Sequence, residues 1–160
     1  MNDKSATIVI RSAVESDAGT LRSIFRCASL TYEGARELFA AHPEWLEWDD
    51  SMLPFARVAA VDGRVVGFAS ARPADDFLEL EDLFTDPEWM RKGVATALIK
   101  DIAGRGLRIE VTASPQAAGF YDSLGFVANG IAETPGGPAP RMRLEATSSH
   151  VQRTSPAHYT

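Results

Sequence analysis

Asp86-Pro87-Glu88-Trp89-Met90-Arg91-Lys92-Gly93-Val94-Ala95-Thr96-Ala97-Leu98 decides the fold of this 160-residue chain. Upstream, Phe77 to Thr85 reads as a long strand. Downstream, Gly93 to Arg105 reads as a helix with Val94, Ala97, Leu98 and Ile102 facing inward, ended by Gly104 and Gly106. A strand that turns straight into a helix aims the helix's first N–H groups at one point. Those groups lack partners inside the helix and carry the positive end of its dipole, so together they form a cradle for phosphate. Gly93 has no Cβ and lets a ligand approach the backbone, while Arg91 and Lys92 add positive charge. The run contains neither G-x-x-x-x-G-K-[ST] nor G-x-G-x-x-G, which excludes a nucleotide-hydrolysing P-loop and gives no support to a dinucleotide fold.

A second segment follows the strand-like Leu107 to Thr112: Ala113-Ser114-Pro115-Gln116-Ala117-Ala118-Gly119-Phe120-Tyr121-Asp122-Ser123-Leu124-Gly125-Phe126. Ser114 suits an N-cap, Pro115 a first helical position and Gly125 a helix stop, which predicts a helix of about ten residues.

The two segments together resemble the GCN5-related N-acetyltransferase (GNAT) superfamily. Met90, Arg91-Lys92, Gly93, Val94 and Ala95 are similar to that family's acetyl-CoA motif. Ala117, Phe120-Tyr121 and Leu124-Gly125-Phe126 are similar to its later motif. The resemblance covers about residues 6 to 146. Met90 stands where the family often has Arg or Gln, Ala95 where a second Gly is commoner, and Ser114 where many members have Asn. The first departure matters little if backbone amides do the binding. All three bear on side-chain contacts to the cofactor.

The resemblance implies an α/β (α+β) fold with a mixed, splayed central sheet of six to seven strands and helices on both faces. The parted strands would be those ending near Thr85 and Thr112. It implies acetyl-CoA as acyl donor. The backbone of Leu83, Phe84 and Thr85 would bind the acetyl and pantetheine groups, and the amides of Arg91, Lys92, Gly93, Val94, Ala95 and Thr96 would hold the pyrophosphate. Ser114 and Tyr121 would also lie against the cofactor.

Acetyl transfer to an amine requires removal of the ammonium proton, stabilisation of an oxyanion and protonation of the leaving thiolate. Tyr121 is the acid to which the resemblance points, and a phenol with an ordinary pKa of about 10 is protonated at neutral pH. Glu79 and Glu81 lie two apart on one strand and so share a face, whereas Asp82 faces the other way. Either Glu could be the base. Equally, both could form an acidic wall that only attracts a cationic substrate. In several family members a Glu matching Glu79 is the base.

The remaining chain reads as a strand over Ala6 to Val14 and a helix over Asp17 to Leu30, with Leu21, Ile24, Phe25 and Ala28 on one face. Cys27 is expected on its apolar side as a buried structural residue. Tyr32 to Trp48 reads as one or two short helices broken at His42-Pro43. Ala56 to Val61 and Arg64 to Ala71 form a hairpin through Asp62-Gly63. Val127 to Glu133 and Arg141 to Ala146 are strands, separated by a loop over Thr134 to Pro140.

Length and composition fit one domain, which the resemblance makes an acyl-CoA N-acyltransferase domain over residues 1 to 146, followed by a polar, aperiodic tail over 147 to 160 expected to be disordered. A net charge of −6 argues against a nucleic-acid surface and favours a cationic substrate. One Cys permits no internal disulfide, no apolar run approaches a membrane span, and Met1 to Ser5 lacks the apolar core of a signal peptide, so the expectation is a cytoplasmic protein. No metal-ligand spacing occurs. The reading is an N-acetyltransferase acting on a small-molecule or peptide amine by direct attack. Its rivals are a CoA-binding regulatory module without turnover and a toxin that acetylates aminoacyl-tRNA, which the acidic balance opposes. A homodimer through strand or helix edges is compatible with the sequence.

Overall fold

The computed structural model describes residues 7–146, so the expected tail, Ala6 and the extreme N-terminus lie outside the described residues. Seven strands form one mixed sheet in the order β1-β2-β3-β4-β5-β7-β6. They are β1 (Val9–Ser12), β2 (Ala56–Val61), β3 (Arg64–Pro73), β4 (Phe77–Thr85), β5 (Arg108–Thr112), β6 (Val127–Thr134) and β7 (Gly137–Leu144). The helices are α1 (Ala18–Ser29), α2 (Ala35–Ala41), α3 (Val94–Ala103) and α4 (Ala118–Ser123). β4 and β5 are parallel, while β1–β2, β2–β3, β5–β7 and β6–β7 are antiparallel.

The chain divides into two compact units. The first contains the described residues up to Arg72 together with Glu81–Asp101. Its β2–β3 hairpin turns on Asp62 and Gly63, both at positive φ (51° and 80°), as a two-residue turn between right-twisted strands requires. Leu21, Ile24, Trp48, Ala56, Val58 and Phe68 form one core cluster, with Phe25 and Phe84 packed against it. Phe84 meets Phe25 edge-on at 4.9 Å. The break at His42-Pro43 is as expected: α2 stops at Ala41 and a 3₁₀ turn, Pro43–Leu46, follows. Cys27 is exposed, contrary to expectation. The buried stripe of α1 is set by Leu21, Ile24 and Ala28, and at about 100° per residue Cys27 falls off its flank.

The second unit holds Pro73–Leu80 and the described residues from Ile102 onward. Here Phe77–Leu80 of β4 pair with Arg108–Val111 of β5, and the ladder ends at Leu80↔Val111. The loop expected over Thr134 to Pro140 shrinks to the turn at residues 135–136, because Gly137–Pro140 already pair with Ile131–Thr134. Pro138 and Pro140 alternate with Ala139 and Arg141, and pairing to β5 starts only at Arg141. Both prolines therefore sit where no ladder N–H is needed. Helix α4 has six residues rather than ten. Ala117 is its N-cap, and Ser114 supplies a turn carbonyl to the Ala117 N–H (2.9 Å) instead of a side-chain cap.

Candidate active site

In the first unit the turn after β4 is held open by its own chemistry. The Asp86 side chain accepts from the Glu88 N–H (3.0 Å) and so starts the 3₁₀ turn Pro87–Trp89. The Asp86 N–H is anchored on the Val66 carbonyl (2.8 Å). Two residues then take positive φ: Arg91 at 64° and Gly93 at 86°. For a non-glycine residue the left-handed region is disfavoured by roughly 1–2 kcal/mol, so its use at Arg91 marks a backbone shaped for a purpose other than stability. The first intrahelical bond of α3 runs from the Ala97 N–H to the Gly93 carbonyl (3.0 Å). The N–H groups of Val94, Ala95 and Thr96 therefore point out of the helix end without an acceptor in the preceding turn. A Cβ built on Gly93 would meet nothing within 4 Å, so the space above it is open. Arg91 and Lys92 are exposed there, with the Lys92 ammonium 5.7 Å from the Trp89 ring centroid.

Leu83, Phe84 and Thr85 lie past the end of the β4–β5 ladder. Gly67, inside β3, brings this segment close: a Cβ there would sit 2.7 Å from Val94 Cγ1 and 3.1 Å from the Phe84 carbonyl oxygen. The sequence signal for this contact was a lone glycine inside a strand pattern.

Glu81 belongs to the same unit. Its Oε2 accepts from Arg72 Nη2 and Nε (2.5 and 3.0 Å), and its side chain is 33% exposed. On the opposite face of β4, Asp82 is 8% exposed. Its Oδ2 accepts from Trp48 Nε1 (3.0 Å) and from Ser70 Oγ. Burial pushes the Asp82 carboxyl above its ordinary pKa, against the two hydrogen bonds that pull it down, and the charges of Glu81 and Asp49 add to the rise. Alternation along β4 showed which face Asp82 takes, but its partner Trp48 is 34 residues away in sequence, and no local pattern announces that contact. Trp48 also lines an open cleft of roughly 790 Å³ between Arg22, Ser23 and Arg26 of α1 and the segment carrying Glu44, Leu46, Glu47, Asp49 and Asp50.

In the second unit Glu79 is engaged at both oxygens. Arg141 Nη1 and Nη2 donate to them at 2.6 and 3.0 Å. Arg141 Nη2 also reaches Glu110 (2.8 Å), and Nη1 reaches Thr112 (3.0 Å). Glu110 accepts further from Arg108 (2.8 Å) and Asn129 (3.1 Å). Burial alone would raise Glu110, but the hydrogen bonds and charges of Arg108 and Arg141 hold it below its ordinary pKa. Arg141 is the member of this cluster that sequence reasoning missed. Only the cross-strand register, Glu79↔Glu110 and Glu110↔Arg143 with Arg141 two residues along β7, places the charges side by side. Tyr121, on α4, is 6% exposed and meets Phe126 and Phe120 edge-on at 5.1 and 5.4 Å.

The predicted positions thus fall in two groups. Glu81, Leu83 to Thr85 and Arg91 to Thr96 belong to the first unit, and Glu79, Ser114 and Tyr121 to the second. Among the described residues, no group of three or more His, Cys, Asp or Glu could hold a metal ion, and no helix is long and apolar enough to cross a membrane.

The architecture is that of an acetyltransferase-type α/β domain. Residues 54–128, from the start of the β2–β3 hairpin to the start of β6, match the acetyltransferase (GNAT) domain model. That stretch is 75 of the chain's 160 residues, just under half, and over it the sequence is similar to GCN5-related N-acetyltransferases. An uncharacterized N-acetyltransferase, YafP, of Escherichia coli is 36% identical over 69 residues, 43% of each chain, so the match spans less than half the length of that relative. Among solved structures, a GCN5-related N-acetyltransferase from Rhodopseudomonas palustris is similar at a TM-score of 0.68 with 23% identity, covering 91% of this chain and 99% of that one. The PaiA N-acetyltransferase from Thermoplasma acidophilum, solved in complex with coenzyme A, is similar at a TM-score of 0.63 with 19% identity, covering 87% and 99%. Both are likenesses of fold.

Proposed function

We propose that the protein is a cytoplasmic N-acetyltransferase that moves an acetyl group from acetyl-CoA to a primary amine. The observation that carries this reading is the turn at Met90–Gly93. Two left-handed residues and open space above Gly93 present the unpaired amides of Val94, Ala95 and Thr96, beside two exposed cations. That is a cradle for a pyrophosphate. The likeness to YafP, an uncharacterized N-acetyltransferase, and the coenzyme A held by the Thermoplasma protein support the same reading.

In this account Leu83 to Thr85 bind the acyl end through their backbone, and Ser114 contacts the cofactor. The amine attacks the thioester carbonyl carbon. A C–N bond forms and the C–S bond breaks. A carboxylate takes the proton from the amine, and the Tyr121 phenol supplies one to the departing thiolate. We place the base at Glu81 rather than Glu79. Both oxygens of Glu79 are occupied by one guanidinium, whereas a single oxygen of Glu81 is engaged and its side chain reaches solvent.

Thiol release from acetyl-CoA with a broad panel of primary amines tests the proposal. Wild type should turn over at least one amine. Glu81→Gln should lose on the order of 10²-fold or more in kcat, Tyr121→Phe should also lose kcat, and Glu79→Gln should lose less than Glu81→Gln. Acetyl-CoA binding with no amine consumed would refute catalysis and leave a CoA-binding module.

A further inference from the structure

The proposed acyl-binding segment, Leu83 to Thr85, lies past the end of the β4–β5 ladder, so other contacts must fix it. At its far end the Asp86 N–H donates to the Val66 carbonyl (2.8 Å). In its middle the Phe84 ring packs against Phe25 at 4.9 Å and Phe68 at 5.8 Å. At its near end stands Asp82, one peptide bond before Leu83. Asp82 Oδ2 accepts from two donors on two other segments. One is Ser70 Oγ, on β3, and the other is Trp48 Nε1 (3.0 Å), just ahead of the 3₁₀ turn Asp50–Phe55. All three residues are buried: Ser70 is 0%, Trp48 6% and Asp82 8% exposed. An apolar side chain would fill the same place without desolvating a charge. Burial indeed pushes the Asp82 carboxyl above its ordinary pKa. A buried carboxyl is thus a poor choice for stability alone, but its directional hydrogen bonds tie β3, β4 and the Trp48 segment to one atom.

We infer that Asp82, Ser70 and Trp48 are positioning residues: their shared hydrogen bonds hold the backbone of Leu83 to Thr85 in the geometry that receives the acetyl and pantetheine groups. They act through the main chain and touch neither the acetyl group nor the amine. The backbone belongs to both faces of β4, so an anchor on the Asp82 face serves a strand whose other face carries Glu81. Main-chain groups bind best when their directions are set in advance, because ordering them at the moment of binding takes free energy from affinity. The turn at residues 91–96 is shaped separately, by the Asp86 side chain on the Glu88 N–H (3.0 Å) and by left-handed Arg91 and Gly93. Loosening Asp82 therefore weakens the acyl end of the site and leaves the phosphate end intact. The inference rests on the acetyltransferase reading and adds the residues that organise its acyl end.

The test compares two ligands: acetyl-CoA, by calorimetric titration, and 3′-phospho-ADP, the coenzyme's phosphate end without its pantetheine arm, by ligand-observed NMR. Trp48→Phe keeps an aromatic ring beside Phe68 while removing the N–H donor, and Ser70→Ala removes the hydroxyl. Each should bind acetyl-CoA about tenfold less tightly than wild type and 3′-phospho-ADP within about twofold of it. Asp82→Asn, whose amide oxygen still accepts from both donors, should keep most of the acetyl-CoA affinity, and Asp82→Leu should not. If Asp82→Leu fails to fold, Trp48→Phe and Ser70→Ala decide. A merely structural role predicts lower stability in urea with the ratio of the two affinities unchanged. That outcome, or wild-type affinity for acetyl-CoA in both Trp48→Phe and Ser70→Ala, overturns the inference. Either result alongside acetyl-CoA binding by wild type leaves the acetyltransferase reading standing without these positioning residues; no binding by wild type removes that reading itself.

Discussion

Replacing Gly67 by Ala adds one methyl group where the first unit has no room for it. The new Cβ would lie 2.7 Å from Val94 Cγ1 and 3.1 Å from the Phe84 carbonyl oxygen, with the Thr85 Cα at 3.6 Å. None of these neighbours yields easily. Val94 is 1% exposed and β-branched in a helix, so its rotamer is nearly fixed, and the other two atoms are main chain. β3, β4 or the first turn of α3 must move by several tenths of an ångström. Overpacking of this kind costs about 1–3 kcal/mol, or a fall in Tm of roughly 2–12 °C at about 2–4 °C per kcal/mol for a chain of this size. Phe84 and Thr85 belong to the proposed acyl-binding strand and Val94 to the proposed phosphate turn, so acetyl-CoA affinity should fall with stability. Urea unfolding followed by tryptophan fluorescence, with calorimetric titration of acetyl-CoA, reads both. Gly19→Ala is the control. It lies in α1 with nothing within 4 Å of its added Cβ and should gain about 0.5–1 kcal/mol. If Gly67→Ala matches wild type in stability and affinity, the close packing of β3 on β4 and α3 is wrong.

Other consequences follow from the charges. The Asp82 carboxyl is raised in the folded protein, so its contribution to stability is fully present below the unfolded value of about 3.8 and is lost as pH rises through the folded pKa. Against Asp82→Asn, which cannot ionise, wild type should lose relative stability as pH rises from about 4. Urea unfolding of the pair at several pH values checks this, and a flat or rising difference refutes it. Arg141→Leu should destabilise by roughly 2–4 kcal/mol, in or just below the range for a broken buried ion pair because the side chains keep some water contact. It strips Glu79 of both donors and Glu110 of one. The double variant Arg141→Leu/Glu79→Leu should recover part of that loss, as thermal unfolding would show.

Local chemistry wrote much of this fold into the sequence. Asp62-Gly63 placed the hairpin, the bounds of β4 could be read residue by residue and those of β5 to within one residue, because a two-residue turn and a short strand pattern are self-contained signals. Turns whose outcome depends on a distant partner were not legible. Gly137–Pro140 has the composition of a loop, yet it is a strand because β6 offers a ladder whose register spares both prolines. Ser114 has the chemistry of an N-cap, but the helix starts at Ala118. The backbone part of the candidate site was visible as a strand–turn–helix pattern. The side-chain part was visible only in fragments: Glu79 stood out, but Arg141, which occupies it, lies 62 residues away. Trp48 and Asp82 gave no hint of each other.

The central claim is that coenzyme phosphates sit at the start of α3. Calorimetric titration of acetyl-CoA against wild type, Gly93→Glu and Gly63→Glu tests it most directly. The two glycines share a left-handed φ (86° and 80°), and neither has a neighbour within 4 Å of an added Cβ, so both variants carry similar backbone strain. Micromolar binding by wild type, kept by Gly63→Glu and abolished by Gly93→Glu, is the predicted result. Equal binding by all three proteins, or none by wild type, would contradict the account.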